Sequence, residues 1–175
     1  NEIIWYYPSA SATAIDRGVA YNYLENTWYT LNLGRTTWLG AYVYEQPIAT
    51  EYSASLTAGA SYIYEHESGN NQADGTALSA FLTSGSVEIA DGDELMSVSR
   101  LVPDFDNLAN TMTATLTLEQ YPQSAANVTT TGSISSTTEK IDVRGRGRAV
   151  KIKYETNTVN DTAWRLGSTK LQLRP

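Results

Sequence analysis

Alternating apolar and polar residues constrain the fold of this chain most strongly. From 111 to 118, in the stretch TMTATLTL, threonine occupies each odd position and an apolar residue each even position. Successive side chains of a β-strand point to opposite faces, so this pattern predicts a strand with one buried face. Threonine, valine, tyrosine and tryptophan recur along the chain, and all four are frequent in strands. The sequence therefore predicts an all-β fold.

Turn-forming residues separate the predicted strands at short intervals. Glycine, asparagine and aspartate mark turns at 25–26, 69–71, 74–75, 91–93 and 160–161. From about 76 onward the strands are longer and carry fewer aromatic residues, which predicts an antiparallel β-sandwich over residues 76–175. The candidate strands are 77–83, 86–90, 94–102, 111–120, 128–134, 138–145, 148–156 and 163–174. We interpret the polar stretch 123–138 as an edge or surface loop, although Val128 and Ile134 leave room for a strand.

Residues 1–75 show a different pattern, in which paired tyrosines precede polar turns. The stretches VAYNYLENTWYT, GAYVYEQP and SYIYEHES each place two tyrosines two positions apart, so each pair would share one strand face. The first stretch resembles a strand pair of a kelch-type propeller. A propeller needs at least four blades of about 40 to 50 residues, and this region is long enough for about one blade. We therefore predict that residues 1–75 are the closing blade of a larger propeller, and that the chain is a piece of a longer product.

Charge is divided unevenly along the chain. Residues 1–139 hold three cations against 16 carboxylates, a formal charge of −13, and residues 140–175 hold nine cations against three carboxylates, +6. The net charge is −7. An acidic majority argues against general binding to polyanions, and the split suggests two surfaces of opposite sign.

The basic segment EKIDVRGRGRAVKIKYE, residues 139–155, changes the phase of its alternation near its centre. Apolar residues stand at odd positions before Gly145 and at even positions after Gly147. Such a flip requires a bulge or a tight connection between two strands, which glycine permits. We predict that the cations of this segment form a contact between subunits: Arg144, Arg146, Arg148, Lys151 and Lys153. The alternatives are a solvated sheet face, salt bridges within the chain, or phosphate contacts with nucleic acid.

Residues for catalysis or metal binding are sparse. The chain has no cysteine and one histidine, His66, which on a strand would point away from its neighbours Glu65 and Glu67. This arrangement disfavours a metal site and a serine–histidine triad, and no Gly-x-Ser-x-Gly motif occurs. The acidic stretch IADGDEL lacks the regular ligands of an EF-hand loop, and we interpret it as a hairpin turn. We expect no enzyme activity, no cofactor and no metal.

Arg100 has the parity of the apolar residues around it in ELMSVSRLVPDF. Either the guanidinium lies on an apolar face or a bulge turns it outward. An inward guanidinium would need a carboxylate partner, and we expect its role to be structural. The candidate partners are Asp91, Asp104 and Asp106.

The aromatic residues leave a binding function open. Paired tyrosines can stack on sugars, although pairs with this spacing are also typical of packing between propeller blades. The alternative to an assembly protein is a carbohydrate-binding β-sandwich module of an adhesin or a glycosidase. In that alternative, tyrosines or Trp164 would hold the glycan.

Four segments occur in an order that resembles a known family. They are YIYEHESG, SGSVEIADGDELMSVSRLVPDF, TTEKIDVRGRGRAVKIKYE and WRLGSTKLQLRP. They lie between 62 and 175 and resemble the C-terminal region of tail hub or nozzle proteins of short-tailed bacteriophages, of the packaged-DNA-stabilisation and tail-tubular-B type. The preceding WYYPSASATAIDRGVAYNYLENTWYT resembles the closing blade that leads into that region.

This resemblance implies a virion structural protein of the phage tail and no enzyme. Members of the family form a ring, typically a hexamer, below the portal and adaptor proteins. The channel of the ring retains genomic DNA and later releases it, without sequence-specific binding and without a membrane contact. An acidic channel wall would not grip phosphate, and the basic edge of one subunit would meet an acidic surface on the next. The chain lacks most of the expected propeller, so channel and gate residues are not assigned.

Overall fold

The computed structural model describes residues 1–51, 62–88, 92–121, 128–156 and 159–174. Sixteen β-strands and no α-helix occur in these residues, and every strand pair is antiparallel. The all-β prediction is confirmed. The chain divides into two compact units, Asn1–Ser68 and Gly69–Pro175.

A membrane-spanning helix is not found among the described residues, because no helix there is long and apolar enough to cross a bilayer.

The boundary between the units lies before the domain division predicted at 75. Asn71 and Asp161 exchange two hydrogen bonds, of 2.8 and 2.6 Å, and the side-chain amide of Asn160 donates to the carbonyl of Gly75 at 2.8 Å. These bonds tie the segment 69–75 to the second unit. The identities predicted for the two parts, a propeller blade and a sandwich, stay predictions.

The described residues of the first unit form two sheets of three strands each. Strands β1 (Glu2–Tyr7), β2 (Arg17–Asn22) and β3 (Thr27–Leu31) form one sheet in that order. Strands β4 (Thr37–Leu39), β5 (Ile48–Thr50) and β6 (Ile63–Glu65) form the other. The predicted turn between β2 and β3 is present, with Asn26 in the left-handed region at φ 55°. A propeller blade usually has four strands. Each sheet has three strands among the described residues, so the assignment of a propeller blade stays a prediction.

The prediction that each tyrosine pair shares a strand face is wrong for this unit. Tyr42 and Tyr44 lie in the bend that joins β4 to β5, where the amide of Tyr42 donates to the carbonyl of Gly40 at 2.8 Å. Tyr23 follows the end of β2, and Tyr62 precedes the start of β6. The strands are shorter than the tyrosine spacing suggests, because turns formed by neighbouring polar and glycine residues interrupt them.

The described residues of the second unit form ten strands. They are β7 (Ala80–Thr83), β8 (Val87–Glu88), β9 (Met96–Val102), β10 (Phe105–Asp106), β11 (Met112–Glu119), β12 (Val128–Ile134), β13 (Ile141–Gly147), β14 (Ala149–Thr156), β15 (Arg165–Leu166) and β16 (Lys170–Arg174). One sheet has the order β12-β11-β14-β7, and β8 also pairs with β14. A second sheet has the order β13-β9-β16, and β10 pairs with β15. The strand predicted at 163–174 is therefore two strands, separated where the amide of Gly167 donates to the carbonyl of Asp104 at 2.7 Å.

The core of the second unit receives side chains from both larger sheets. The even positions of β11, from Met112 to Leu118, are buried as the alternation predicts, and their threonine neighbours lie on the opposite face. Val98 and Leu101 of β9 and Val143 of β13 join the same apolar cluster. Each sheet therefore has one face in the core and one face outside it.

Arg100 points outward because β9 contains a bulge. Val98 and Leu101 are both buried, although regular alternation would place them on opposite faces. In the register with β16, Ser99 is left without a partner between Val98 and Arg100. This extra residue changes which face of the sheet each following side chain points to. The guanidinium of Arg100 then reaches Asp142 at 3.4 Å on the exposed face. The partner of Arg100 is therefore Asp142, and neither Asp104 nor Asp106, which were predicted for an inward arginine. The third predicted partner, Asp91, lies outside the described residues.

We predict that Leu116→Ala lowers the free energy of unfolding of the second unit by about 2 to 5 kcal/mol. Leu116 is 0% exposed at the centre of the shared core, so truncation leaves a cavity there. The control is Thr117→Ala on the outer face of the same strand, with an expected change below about 1 kcal/mol. Urea unfolding followed by circular dichroism measures both. Equal losses in the two variants would contradict the assignment of the faces.

Candidate functional site

The segment that carries the predicted contact residues passes from one sheet to the other. Strand β13 ends at Gly147 and β14 begins at Ala149, so Arg148 is the connection between them. The register of β13 with β9 also shifts between Asp142 and Gly145. The prediction of a bulge or a tight connection is confirmed, and its consequence is that the five cations are distributed over two different sheets.

Gly147 allows the close approach that this connection needs. A Cβ atom at this position would lie 3.1 Å from the carbonyl oxygen of Glu119 and 3.2 Å from that of Ala149. The amide of Arg148 donates to the same Glu119 carbonyl at 2.8 Å. The backbone at the crossing is therefore packed against the end of β11, so a side chain at 147 would force the neighbouring backbone to shift.

Lys151 and Lys153 are both paired within the chain. They lie on the outer face of the five-stranded sheet, where the ammonium of Lys151 is 2.5 Å from the carboxylate of Glu119 and Lys153 contacts Glu155. Hydrogen bonds from Lys151 and then Ser86 lower the pKa of Glu119 below its usual value. These two lysines therefore have anionic partners before any other subunit is present.

Arg148 is held by the loop at residues 92–93. Its Nη1 atom donates to the carbonyls of Gly92, at 3.4 Å, and Asp93. The guanidinium also lies over the ring of Tyr121, 5.4 Å from the ring centroid. These contacts give Arg148 a structural role between the sheet connection and the neighbouring loop.

Arg144 and Arg146 differ from the other three cations, because they are exposed and lack partners within the described part of the chain. They project from the outer face of β13, while Val143 and Gly147 point into the core. The described residues offer neither guanidinium an ion pair or a side-chain hydrogen bond. The structure therefore keeps two of the five predicted residues as a candidate contact and separates them from the other three.

The sheet adds three cations that the sequence analysis did not connect with this site. Ser97 of β9 stands opposite Arg146 on one side and Arg174 of β16 on the other, so both arginines lie on one face. Lys170 alternates with the inward-facing Leu171 and shares the face of Arg174. We name this surface the basic face and define it by Arg100, Arg144, Arg146, Lys170 and Arg174. The alternation in KLQLR signals an outward Lys170 and Arg174, but not which strand they adjoin.

One carboxylate of β13, that of Asp142, also faces outward among these cations. Asp142 is 3.4 Å from Arg100 and 3.6 Å from Lys140, which precedes β13. Like charges on one sheet face repel each other when no counter-charge intervenes. The basic face is therefore a surface to which an anionic partner would be attracted, in a chain whose net charge is −7.

A buried arginine organises the polar residues of the first unit. Arg35 is 7% exposed, and its Nε donates to Nε2 of His66 at 3.0 Å while Nη1 donates to the carboxylate of Glu51 at 2.8 Å. The hydroxyl of Tyr64 donates to the other oxygen of Glu51 at 2.6 Å, and the His66 ring packs on Trp38 at 4.6 Å between centroids. The network satisfies a buried charge, as a structural ion pair must.

The described residues contain no group of three histidine, cysteine, aspartate or glutamate side chains that could hold a metal ion. His66 binds Arg35, and its neighbours Glu65 and Glu67 are not part of that contact.

A shallow depression of about 320 Å³ lies in the second unit beside β10 and the turn after β12. Asp104 is the one carboxylate among the described residues that line it, and that side chain already accepts a hydrogen bond from the amide of Ser168 at 2.8 Å. The depression therefore lacks a second titratable group with which Asp104 could share acid–base chemistry.

Comparison with known proteins identifies no family. A scan against protein-family models and a search of curated proteins found no match to this chain. The resemblance to tail hub proteins stays a prediction from the sequence, and the basic face is a finding of the structure.

We predict that the first unit loses stability as the pH falls below about 6.5, the usual pKa of histidine. Burial, and then the charge of Arg35, lower the pKa of His66, so the folded unit favours the neutral ring that accepts the Arg35 hydrogen bond. This contribution is complete above the unfolded pKa and is lost as pH falls towards the lower folded pKa. Melting followed by tryptophan fluorescence measures the effect, because Trp5, Trp28 and Trp38 lie in this unit.

The matched variant is His66→Gln, whose amide oxygen accepts from Arg35 but does not titrate. Its melting temperature should change less than that of the parent chain between pH 7 and pH 5. Parallel pH profiles for the two proteins would refute the assigned role of His66.

Proposed function

We propose that this chain is a structural component of a phage tail hub or nozzle ring, through which DNA is retained and ejected in the virion. The identity in this proposal comes from the sequence resemblance, and the observation that supports the assembly contact is the basic face, whose Arg144 and Arg146 have no counter-charge among the described residues of their own chain. In this proposal the basic face of one copy contacts an acidic surface on the next copy. The chain itself performs no catalysis.

The first unit carries an excess of negative charge. Residues 1–68 hold seven carboxylates and two arginines, a formal charge of −5. Both arginines are engaged inside the unit, Arg17 with Asp16 at 3.8 Å and Arg35 with Glu51 at 2.8 Å. Its remaining carboxylates therefore leave the unit with a net negative charge that can attract the basic face of a neighbouring copy.

A contact between two different surfaces of the same protein has a defined consequence for assembly. Such a contact is heterologous, and it produces a ring when the rotation between subunits closes. A homo-oligomeric ring, with a hexamer favoured by the sequence resemblance, fits this type of contact. Portal or adaptor proteins would adjoin the ring, and genomic DNA would pass through it without sequence-specific binding.

We predict that Arg144→Gln with Arg146→Gln prevents or strongly weakens ring assembly of the full-length gene product. The double variant removes two charges from the basic face while keeping hydrogen-bonding side chains at exposed positions. Light scattering and negative-stain imaging measure the mass and shape of the assembly. Raising the salt concentration should also weaken assembly of the parent protein, because salt screens the charge attraction across the contact.

The matched control is Lys151→Gln with Lys153→Gln, which changes the net charge by the same amount on the other sheet. These lysines already have partners in Glu119 and Glu155, so the control should assemble like the parent protein. If both double variants behave alike, or if neither changes assembly, the basic face is not the contact.

A second candidate function is binding of carbohydrate, and an exposed aromatic group on the first unit favours it. Trp5 and Trp28 are 46% and 60% exposed, and their ring centroids lie 5.8 Å apart. Tyr21 stacks on Trp28 at 4.4 Å. Trp164, the tryptophan named for this function from the sequence, instead packs edge-on against Phe105 at 6.0 Å and belongs to the periphery of the core.

If this second function holds, Trp28→Ala should abolish saturable binding on a glycan array, since it removes the ring that contacts both Trp5 and Tyr21. Tyr42→Ala is the control, because Tyr42 is 91% exposed but lies in the bend between β4 and β5. The carbohydrate function is excluded if the parent chain binds no glycan or if both variants bind equally.

A further inference from the structure

Strand β12 lies at the outer edge of its sheet. It pairs with β11, and no second described strand pairs with it. All seven residues of β12 are in register with β11, from Ile134 opposite Met112 to Val128 opposite Leu118, without a shift. An edge strand of this kind presents a row of backbone donors and acceptors with which another strand can pair.

The composition of β12 sets it apart from the edges of the second sheet. Its sequence VTTTGSI has no charged residue and no proline, and its register contains no bulge. Strand β13 has a bulge and carries Arg144 and Arg146, and β16 carries Lys170 and Arg174 beside a register shift. Charges and bulges are the features by which natural proteins prevent edge-to-edge pairing. The edge β12 lacks them.

We propose that β12 pairs with β12 of a second copy of this chain, antiparallel about a two-fold axis at Thr131. This register places Thr131 opposite itself, Thr129 opposite Ser133 and Thr130 opposite Gly132. Thr129, Thr131 and Ser133 are exposed on the outer face, so hydroxyl side chains meet hydroxyl side chains across the two-fold axis. Pairs of threonine and serine across neighbouring strands stabilise a sheet.

The second copy is favoured as the partner because β12 is compatible with itself. Antiparallel self-pairing of β13 or β16 would bring arginines and lysines of two copies together. Strand β12 has no charged residue that would repel β12 of a second copy. The resulting dimer has one continuous sheet through both copies. Self-pairing of this kind is isologous, so it is separate from the heterologous ring contact and does not depend on the proposed function.

The test uses two variants of the 175-residue chain, Thr131→Lys and Thr131→Glu. Thr131 is exposed in the single chain, so both variants should fold, which circular dichroism checks. All proteins in this test also carry Arg144→Gln and Arg146→Gln, which remove the proposed ring contact, so that sedimentation velocity reports the β12 contact alone. It should show a dimer for this parent and self-association weakened about tenfold or more for each Thr131 variant alone, because like charges meet at the two-fold axis. An equimolar mixture of the two variants should form the heterodimer.

The control is Thr83→Glu, which introduces the same charge as Thr131→Glu at the exposed Thr83 of β7, on the opposite edge of this sheet and across from Lys153. It should dimerise like the parent of this test. A parent chain that remains monomeric overturns the proposal. Equal effects of Thr131→Glu and Thr83→Glu, or failure of the mixture to recover the dimer, also overturn it.

Discussion

The shared apolar core of the second unit is the constraint on which its surfaces depend. Leu116 and Leu118 of β11 and Leu101 of β9 are fully buried, so alternate positions of both sheets are committed to the interior. Burial of these side chains supplies most of the free energy that fixes strand register, because a slip of one residue would expose them. The side chains at the remaining positions face outward, where they can contact other molecules.

The crossing at Gly147 and Arg148 shows how this constraint divides a continuous sequence. The chain leaves one sheet and enters the other within one residue, and the buried face changes from odd to even positions. Cations that are neighbours in the sequence therefore separate. Arg144 and Arg146 remain without partners among the described residues, while Lys151 and Lys153 meet carboxylates on the second sheet.

Local patterns predicted much of the fold and less of the site. The strands of the second unit were predictable because period-two alternation is a property of neighbouring residues, as at Met112–Glu119. The order of strands is not local. Arg174 joins Arg146 only because β9 lies between β16 and β13. The salt bridge of Arg100 with Asp142 likewise depends on a bulge at Ser99, a residue type that does not signal one. In the first unit, turns overrode the tyrosine spacing at Tyr42 and Tyr44.

Charge on an edge strand has two effects, and together they divide the contacts available to the second unit. Arginines and lysines on β13 and β16 discourage another strand from pairing there, since a like edge would be repelled. The same cations attract an acidic surface over a longer distance, so those edges favour contact through side chains. Strand β12 carries no charge and can form contacts only at short range, through its backbone and hydroxyl groups. The charged edges β13 and β16 are suited to an acidic surface and not to a pairing strand. The uncharged edge β12 is suited to a pairing strand and not to an acidic surface. The second unit can therefore make an electrostatic contact and a hydrogen-bonded contact at separate places.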